Sequence, residues 1–166
     1  GMASLMYYVL FYVFSNLAAF GVIGAIENNT GMISMDDYKG LYKTNPRLSV
    51  AMMLAMFSLA GIPPFAGFFS KFFIFTSAIQ QGSIAIYILV LIALINTIIS
   101  LYYYLLVVKA MFISQDECKI ANFKSSCPER VALWIAIAGI LLLGIASPIY
   151  NYLLTISENA VMAFIY

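Results

Sequence analysis

The sequence of 166 residues contains no histidine, seven acidic and eight basic side chains, and two cysteines. Without imidazole the commonest metal and haem ligand is missing, and a net charge of +1 provides no basic face for nucleic acid. Cys118 and Cys127 lie in a polar stretch at a spacing that matches no zinc or redox motif, and they read as reduced thiols. No glycine-rich phosphate turn follows a strand pattern and no cysteine cluster occurs, so nicotinamide, flavin and iron–sulfur groups find no site. Internal repeats and low-complexity segments are absent. So are the basic start and small-residue cleavage site of a signal peptide, and Gly1 stands where a chain normally has methionine. The expectation is a tag scar or a cut inside a longer protein. Polar surface itself is scarce: 64% of residues are hydrophobic, 9% are charged, and mean hydropathy is +0.98. Such a chain cannot coat a soluble globule and reads as a membrane protein.

A helix needs about 20 apolar residues to cross the hydrocarbon core. A first run extends from about Leu5 to Ile26 and ends at Glu27-Asn-Asn-Thr-Gly. The loop 27–47 collects six charges and closes on Asn45-Pro46, with one short helical turn expected around Met35 to Leu41. From Leu48 the apolar run continues to Gln80, roughly 50 Å if wholly helical, against a core of about 30 Å. One straight helix does not fit. A tight turn at Gln80-Gln81-Gly82-Ser83 leads to a third span, Ile84 to Phe112, and a polar loop 113–130 follows. A fourth span covers 131–147, with Trp134 suited to the interfacial belt and Ser147-Pro148 closing it; the tail from Ile149 reads as a short surface helix. The fold class is therefore an all-α polytopic membrane protein of four transmembrane helices, the second discontinuous, in one membrane domain.

Three basic residues fall in 27–47, three in 113–130, and none in the N-terminal stretch, the 80–83 turn or the tail. That alternation places both basic loops in the cytoplasm and both termini outside. Lys109 then lies near the cytoplasmic end of its helix and snorkels.

The break in the second span is the most informative stretch. An unpaired backbone group in hydrocarbon costs several kcal/mol, so Gly61, Pro63, Pro64 and Gly67 survive in mid-membrane only where protein or trapped water satisfies the freed carbonyls. Two half-helices, about Leu48 to Ala60 and Phe68 to Gln80, are expected to meet near the midplane, with the break facing protein. Lys71 would lie in the first turn of the second half, an electrostatically poor place for a cation because a helix start carries partial positive charge. An intramembrane lysine there costs about 2.5–3.5 kcal/mol on insertion scales and can exchange between ammonium and amine, as a proton relay requires. The competing reading is a lysine locked in an ion pair. All seven carboxylates of the chain fall in loops, at a helix end or in the tail, so the counter-charge would come from residues absent here. Ser15, Asn16, Ser70, Thr76, Asn96, Thr97 and Ser100 are candidates for a polar path or simply for helix packing; of these Asn16, Ser70 and Asn96 lead. The run Tyr102-Tyr103-Tyr104 is given no role beyond contact with water.

MLAMFSLAGIPPFAGFFSKFFIF (Met53 to Phe75) closely resembles the discontinuous helix of the antiporter-like membrane subunits of respiratory complex I, in the subunit N branch of bacterial NADH:quinone oxidoreductase. The resemblance extends through FYVFSNLAAFGVI before it, YKGLYKTNPRLSVAM at its entrance, and INTIISLYYYLLVVKAMF and GILLLGIASPIYNYL after it. It implies a fourteen-helix bundle of two inverted repeats, of which this chain would be the last four helices. Lys71 matches the lysine of the family's second broken helix, and the resemblance gives it a proton-relay role. Phe72 follows Lys71 where the subunit L branch has an acidic residue, and the lysine itself stands where subunit M and its antiporter relatives show glutamate; both differences favour subunit N. The implied partners are the other membrane subunits of complex I, the missing N-terminal helices and the lipid bilayer. NADH, flavin, iron–sulfur clusters and quinone would reside in partner subunits, and the membrane would be the bacterial inner membrane. A monovalent cation/proton antiporter subunit and a structural assembly subunit remain the alternatives.

The orientation is testable in cysteine-free full-length protein. Lys39→Cys and Lys124→Cys should react with an impermeant thiol reagent from the cytoplasmic face, and Gln81→Cys from the opposite face. Labelling of Lys39→Cys and Gln81→Cys from one face would overturn the four-span alternation.

Overall fold

A computed structural model describes residues 2–114, 117–145 and 155–156. Among them the helices are α1 (Met2–Thr30), a 3-10 turn (Met35–Tyr38), α2 (Leu41–Thr44), α3 (Pro46–Ala60), α4 (Ala66–Ile79), α5 (Ile84–Ile113) and α6 (Cys127–Ile145), with no strand among the described residues. Helices α1, α5 and α6 are each long and apolar enough to cross a membrane. Helices α3 and α4, with 15 and 14 residues, would each span only about 21–22 Å, so the second crossing is made of two halves. The expected surface helix in the tail lies outside the described residues.

Helix bounds depart from the hydropathy reading for local reasons. Helix α1 runs a turn beyond Ile26 because Asn29 and Thr30 bond back to the Ala25 and Ile26 carbonyls, and Gly31, at φ +72°, closes it with its N–H on Glu27 O. Helix α3 starts at Pro46, whose missing N–H costs nothing at a first helical position. Helix α6 starts at Cys127 rather than Val131 because Ser126-Cys-Pro-Glu129 is a capping box: Ser126 N donates to Glu129 Oε2 at 2.8 Å and Glu129 N to Ser126 Oγ at 3.4 Å. Around 35–44 two short turns replace the single one expected.

Helix α1 buries Ser4, Tyr7, Phe11, Ser15, Ala18, Val22 and Ala25, one residue each three or four positions, and turns Leu5, Val9, Leu17 and Phe20 outward. Small residues on the inward stripe let α1 lie against α3, α4 and α6. A Cβ added at Gly139 would come within 2.3 Å of the Phe14 ring, and one at Gly21 within 3.1 Å of Leu133, so α1 and α6 interlock. Tyr7 donates its hydroxyl to the Leu143 carbonyl, and Ser4 and Ser77 share a 2.8 Å hydrogen bond. Helix α5 packs mainly on α3 and buries only Val90 and Met111.

The two charged loops form one roof at the same end of the bundle. Asn45, buried at the start of α3, donates from Nδ2 to Ala121 O at 3.1 Å and accepts at Oδ1 from Phe123 N at 3.3 Å. Gly40 N donates to Ala110 O at 3.0 Å, and Lys119 pairs with Asp37 at 3.0 Å. Lys39, bonded to Asp36, holds that carboxyl below its ordinary value, whereas burial pushes the Tyr38 phenol up, with Glu27 and Asp37 adding to it.

Gly67, expected inside the break, is instead the second residue of α4, and its role is contact. A Cβ there would fall 1.6 Å from the Ser58 carbonyl oxygen and 2.9 Å from Phe11. Gly67→Ala should therefore destabilise the fold by about 1–3 kcal/mol, as overpacking does, while Gly24→Ala, with nothing within 4 Å of the new methyl, should leave it unchanged or slightly firmer. Thermal unfolding of the purified protein in detergent measures both.

Candidate functional site at the helix break

The chemistry of the break follows from which amides its sequence can offer. In a continuous helix the carbonyls of Leu59 and Ala60 would receive the N–H groups of residues 63 and 64. Those residues are Pro63 and Pro64, which have none. The neighbouring carbonyls are satisfied locally: Gly61 N and Ile62 N both reach Phe57 O at 3.1 Å, and Gly61 N also lies 3.1 Å from Ser58 O. Gly61 adopts φ +82°, the left-handed conformation that lets a chain leave a helix while capping it. Phe65 N then bonds Ile62 O at 3.0 Å, and α4 begins at Ala66.

Lys71 supplies what the prolines withhold. Its Nζ donates to Leu59 O at 3.0 Å and lies 3.5 Å from Ala60 O. The expected position in the first turn of α4 is corrected to the second turn, because α4 starts at Ala66. The expected electrostatic penalty is corrected too. A helical side chain leans back toward its own N-terminus, which carries the amine across the break to the C-terminal carbonyls of α3, where a helix dipole favours a cation. No carboxylate partners Lys71 among the described residues.

One side of the break is packed and the other bare. A Cβ at Gly144 of α6 would come within 2.7 Å of Pro64 O and 3.0 Å of Ala66 N, so α6 presses on the elbow's backbone. The Pro63 and Pro64 side chains are exposed in this chain.

Lys71 lines a cavity of about 200 Å³ between α1, α3, α4 and α5. Asn96, Thr97 and Ser100 of α5 line it, as do Tyr8, Phe11 and Tyr12 of α1, Leu59, and Tyr104 of α5. Other polar candidates are engaged elsewhere. Asn16 donates to Tyr12 O at 2.7 Å, Ser70 to Gly67 O at 3.0 Å and Thr76 to Phe72 O at 2.8 Å, each within its own helix. Ser15 and Ser58 pair at 2.9 Å between α1 and α3. The sequence reading overlooked Tyr8 and Tyr12, left Tyr104 without a role, and missed the Leu59 and Ala60 carbonyls, which the four-residue offset from the prolines could have revealed.

Gly61 is held by two constraints that can be separated. Gly61→Ala places a residue in the left-handed region, at roughly 1–2 kcal/mol, and puts a methyl 3.3 Å from Lys71 Nζ and 3.4 Å from its Cδ. Gly31→Ala meets the backbone strain alone, with nothing within 4 Å. Thermal unfolding should show the larger loss for Gly61→Ala; equal losses would mean that the lysine accommodates the methyl freely.

The family model described as NADH:quinone oxidoreductase/Mrp antiporter, TM matches residues 1–100. NADH-quinone oxidoreductase subunit N of Phocaeicola vulgatus is 57% identical over 97% of the chain, and that of Azobacteroides pseudotrichonymphae 53% identical over 95%. The chain covers 33% and 32% of those proteins, and so spans about a third of the length of the curated relatives it matches. A chain of respiratory complex I from Thermus thermophilus with bound aureothin superposes with a TM-score of 0.71 at 32% identity, over 87% of this chain and 32% of that one. With its all-helical fold and broken second span, the chain belongs to the NADH:quinone oxidoreductase/Mrp antiporter transmembrane family.

Proposed function

We propose that this chain is the C-terminal, four-span part of a proton-translocating membrane subunit of NADH:quinone oxidoreductase, with Lys71 as a protonatable relay. The observation that carries the reading is the placement of Lys71 Nζ on two proline-orphaned carbonyls at the edge of a polar cavity. An ammonium has three N–H groups and a neutral amine two. The Leu59 and Ala60 carbonyls can hold either species, so the proton exchanged is the one directed at the cavity. Gly61, Pro63 and Pro64 create the acceptors, and Gly67 lets α4 approach closely enough to use them. Asn96 belongs to the polar path; Asn16 and Ser70 act instead on their own helices.

The partners are the other membrane subunits of the complex, the preceding helices of the same protein and the bilayer of the bacterial inner membrane, with both ends of this segment outside. Redox groups and quinone reside in those other subunits. A change of charge at Lys71 couples to charge in neighbouring subunits through the electric field in a medium of low dielectric constant.

The same geometry supports a second reading, in which Lys71 is only the cap of α3. Full-length protein carrying Lys71→Met or Lys71→Arg separates the two, with NADH:quinone turnover and proton pumping normalised to assembled complex. Arginine can still donate to both carbonyls but does not release its proton. The relay reading expects Lys71→Arg to assemble and lose pumping by tenfold or more, without dependence on sodium or potassium. Normal pumping by an assembled Lys71→Arg complex would leave the lysine as a cap.

A further inference from the structure

Helix α1 is unbroken where the span beside it is not, and four contacts tie it to both halves. Ser4 shares a 2.8 Å hydrogen bond with Ser77 of α4, and the Tyr7 ring meets the Phe73 ring of α4 edge to face at 5.7 Å. Phe11 lies against Gly67 at the start of α4, and Ser15 shares a 2.9 Å hydrogen bond with Ser58 of α3. Numbers that rise along α1 fall along the span, so α1 runs antiparallel to both halves and bridges the break.

The spacing of these contacts measures the break. Ser77 stands nineteen positions beyond Ser58, about 28 Å in a continuous helix, whereas the eleven positions from Ser4 to Ser15 rise only about 17 Å. The difference is absorbed between the two halves. A Cβ at Gly67 would fall 1.6 Å from the Ser58 carbonyl oxygen, so residues 59–66 make almost no advance along α1, and the ten positions from Gly67 to Ser77 rise about 15 Å. Helix α1 thus fits a broken span and not a continuous one.

The Ser15 end of this ruler meets the acceptors of the lysine. Ser58 is engaged on three sides: its hydroxyl on Ser15, its carbonyl on Gly61 N at 3.1 Å, and that same oxygen against Gly67. The next residue is Leu59, whose carbonyl receives Lys71 Nζ at 3.0 Å. Ser15 and Ser58 are both fully buried, so their bond forms in a dry, low-dielectric interior. A slip of α3 away from the lysine by one residue's rise, about 1.5 Å, would take the Leu59 carbonyl out of hydrogen-bond range.

We propose that Ser15 is the positioning residue of the Lys71 site: by way of Ser58 it holds the end of α3 at the height where the Leu59 and Ala60 carbonyls meet the amine. It acts through Ser58 and not on the lysine itself. Its effect on pumping rests on the relay reading of Lys71; its effect on the fold rests on the hydrogen bonds alone.

The experiment uses full-length protein, and for pumping the assembled complex. Ser15→Ala and Ser58→Ala each remove one hydroxyl. Each should assemble normally and lower pumping per complex about threefold or more, as small misplacements at a reacting group do, and the double variant should fall no further than either single one, because all three delete the same bond. Ser49→Ala removes an equally buried hydroxyl that bonds within α3 to Asn45 O, and should pump normally. If Lys71→Arg collapses pumping and Ser15→Ala leaves it normal, the relay stands and the positioning role is overturned. A second readout does not depend on pumping. Ser15→Ala should lower the melting temperature of the purified protein, and at least half of that loss should vanish in a Lys71→Met background, where the carbonyls have no amine left to meet. Equal losses in the two backgrounds would make Ser15 a packing contact only and overturn the assignment. If Lys71→Arg pumps normally, the relay reading itself has failed, and this thermal comparison alone decides for Ser15.

Discussion

Two amides that do not exist organise the centre of this molecule. Pro63 and Pro64 withhold the N–H groups that Leu59 and Ala60 would receive in a continuous helix, and an unsatisfied carbonyl in a dry interior costs several kcal/mol. The remaining features answer that deficit. Gly61 turns the chain, Gly67 removes the side chain that would hold the half-helices apart, and Lys71 brings the donor back across the gap. A lysine that would be a liability on an unbroken span here meets the negative end of a helix dipole.

Around this centre the interior of the bundle mixes large side chains such as Tyr7, Phe11 and Met52 with small ones such as Ser15, Ala18 and Ala55. In lipid the usual inward drive of apolar groups is absent, so close packing and hydrogen bonds select the interior. Ser4, Ser15, Ala18 and Ala25 face in, while Leu17 and Phe20 face out. Helix α5, with nearly all of its long apolar surface uncovered, has Asn96, Thr97, Ser100 and Tyr104 where it meets the cavity.

Much of this architecture was legible in the sequence. The position of the break, the turn at 80–83 and the two charged loops follow from Gly, Pro, Gln and charged residues interrupting apolar runs, and Lys71 stood out as a cation with no apolar excuse. Element ends were less legible because they depend on single hydrogen bonds. The Ser126–Glu129 box and the Thr30 bond to Ile26 each moved a helix end by about a turn. The polar candidates divided on a matter that composition does not encode: Asn16 and Ser70 fold back on their own helices, and Asn96 does not. The inward stripe of α1 was hidden because its residues and their outward neighbours are about equally apolar. Tyr8 and Tyr12 were hidden with it.

The contact between Gly67 and the Ser58 carbonyl also fixes what kind of joint the break is. Its two arms touch backbone to backbone, and α6 presses on the outer curve through Gly144. A side chain also crosses between the arms: Lys71 of α4 donates to the Leu59 and Ala60 carbonyls of α3, so bending the joint would part those hydrogen bonds. The lysine that answers the missing amides is therefore also the clasp of the elbow: satisfying the two carbonyls and holding the half-helices together are one contact.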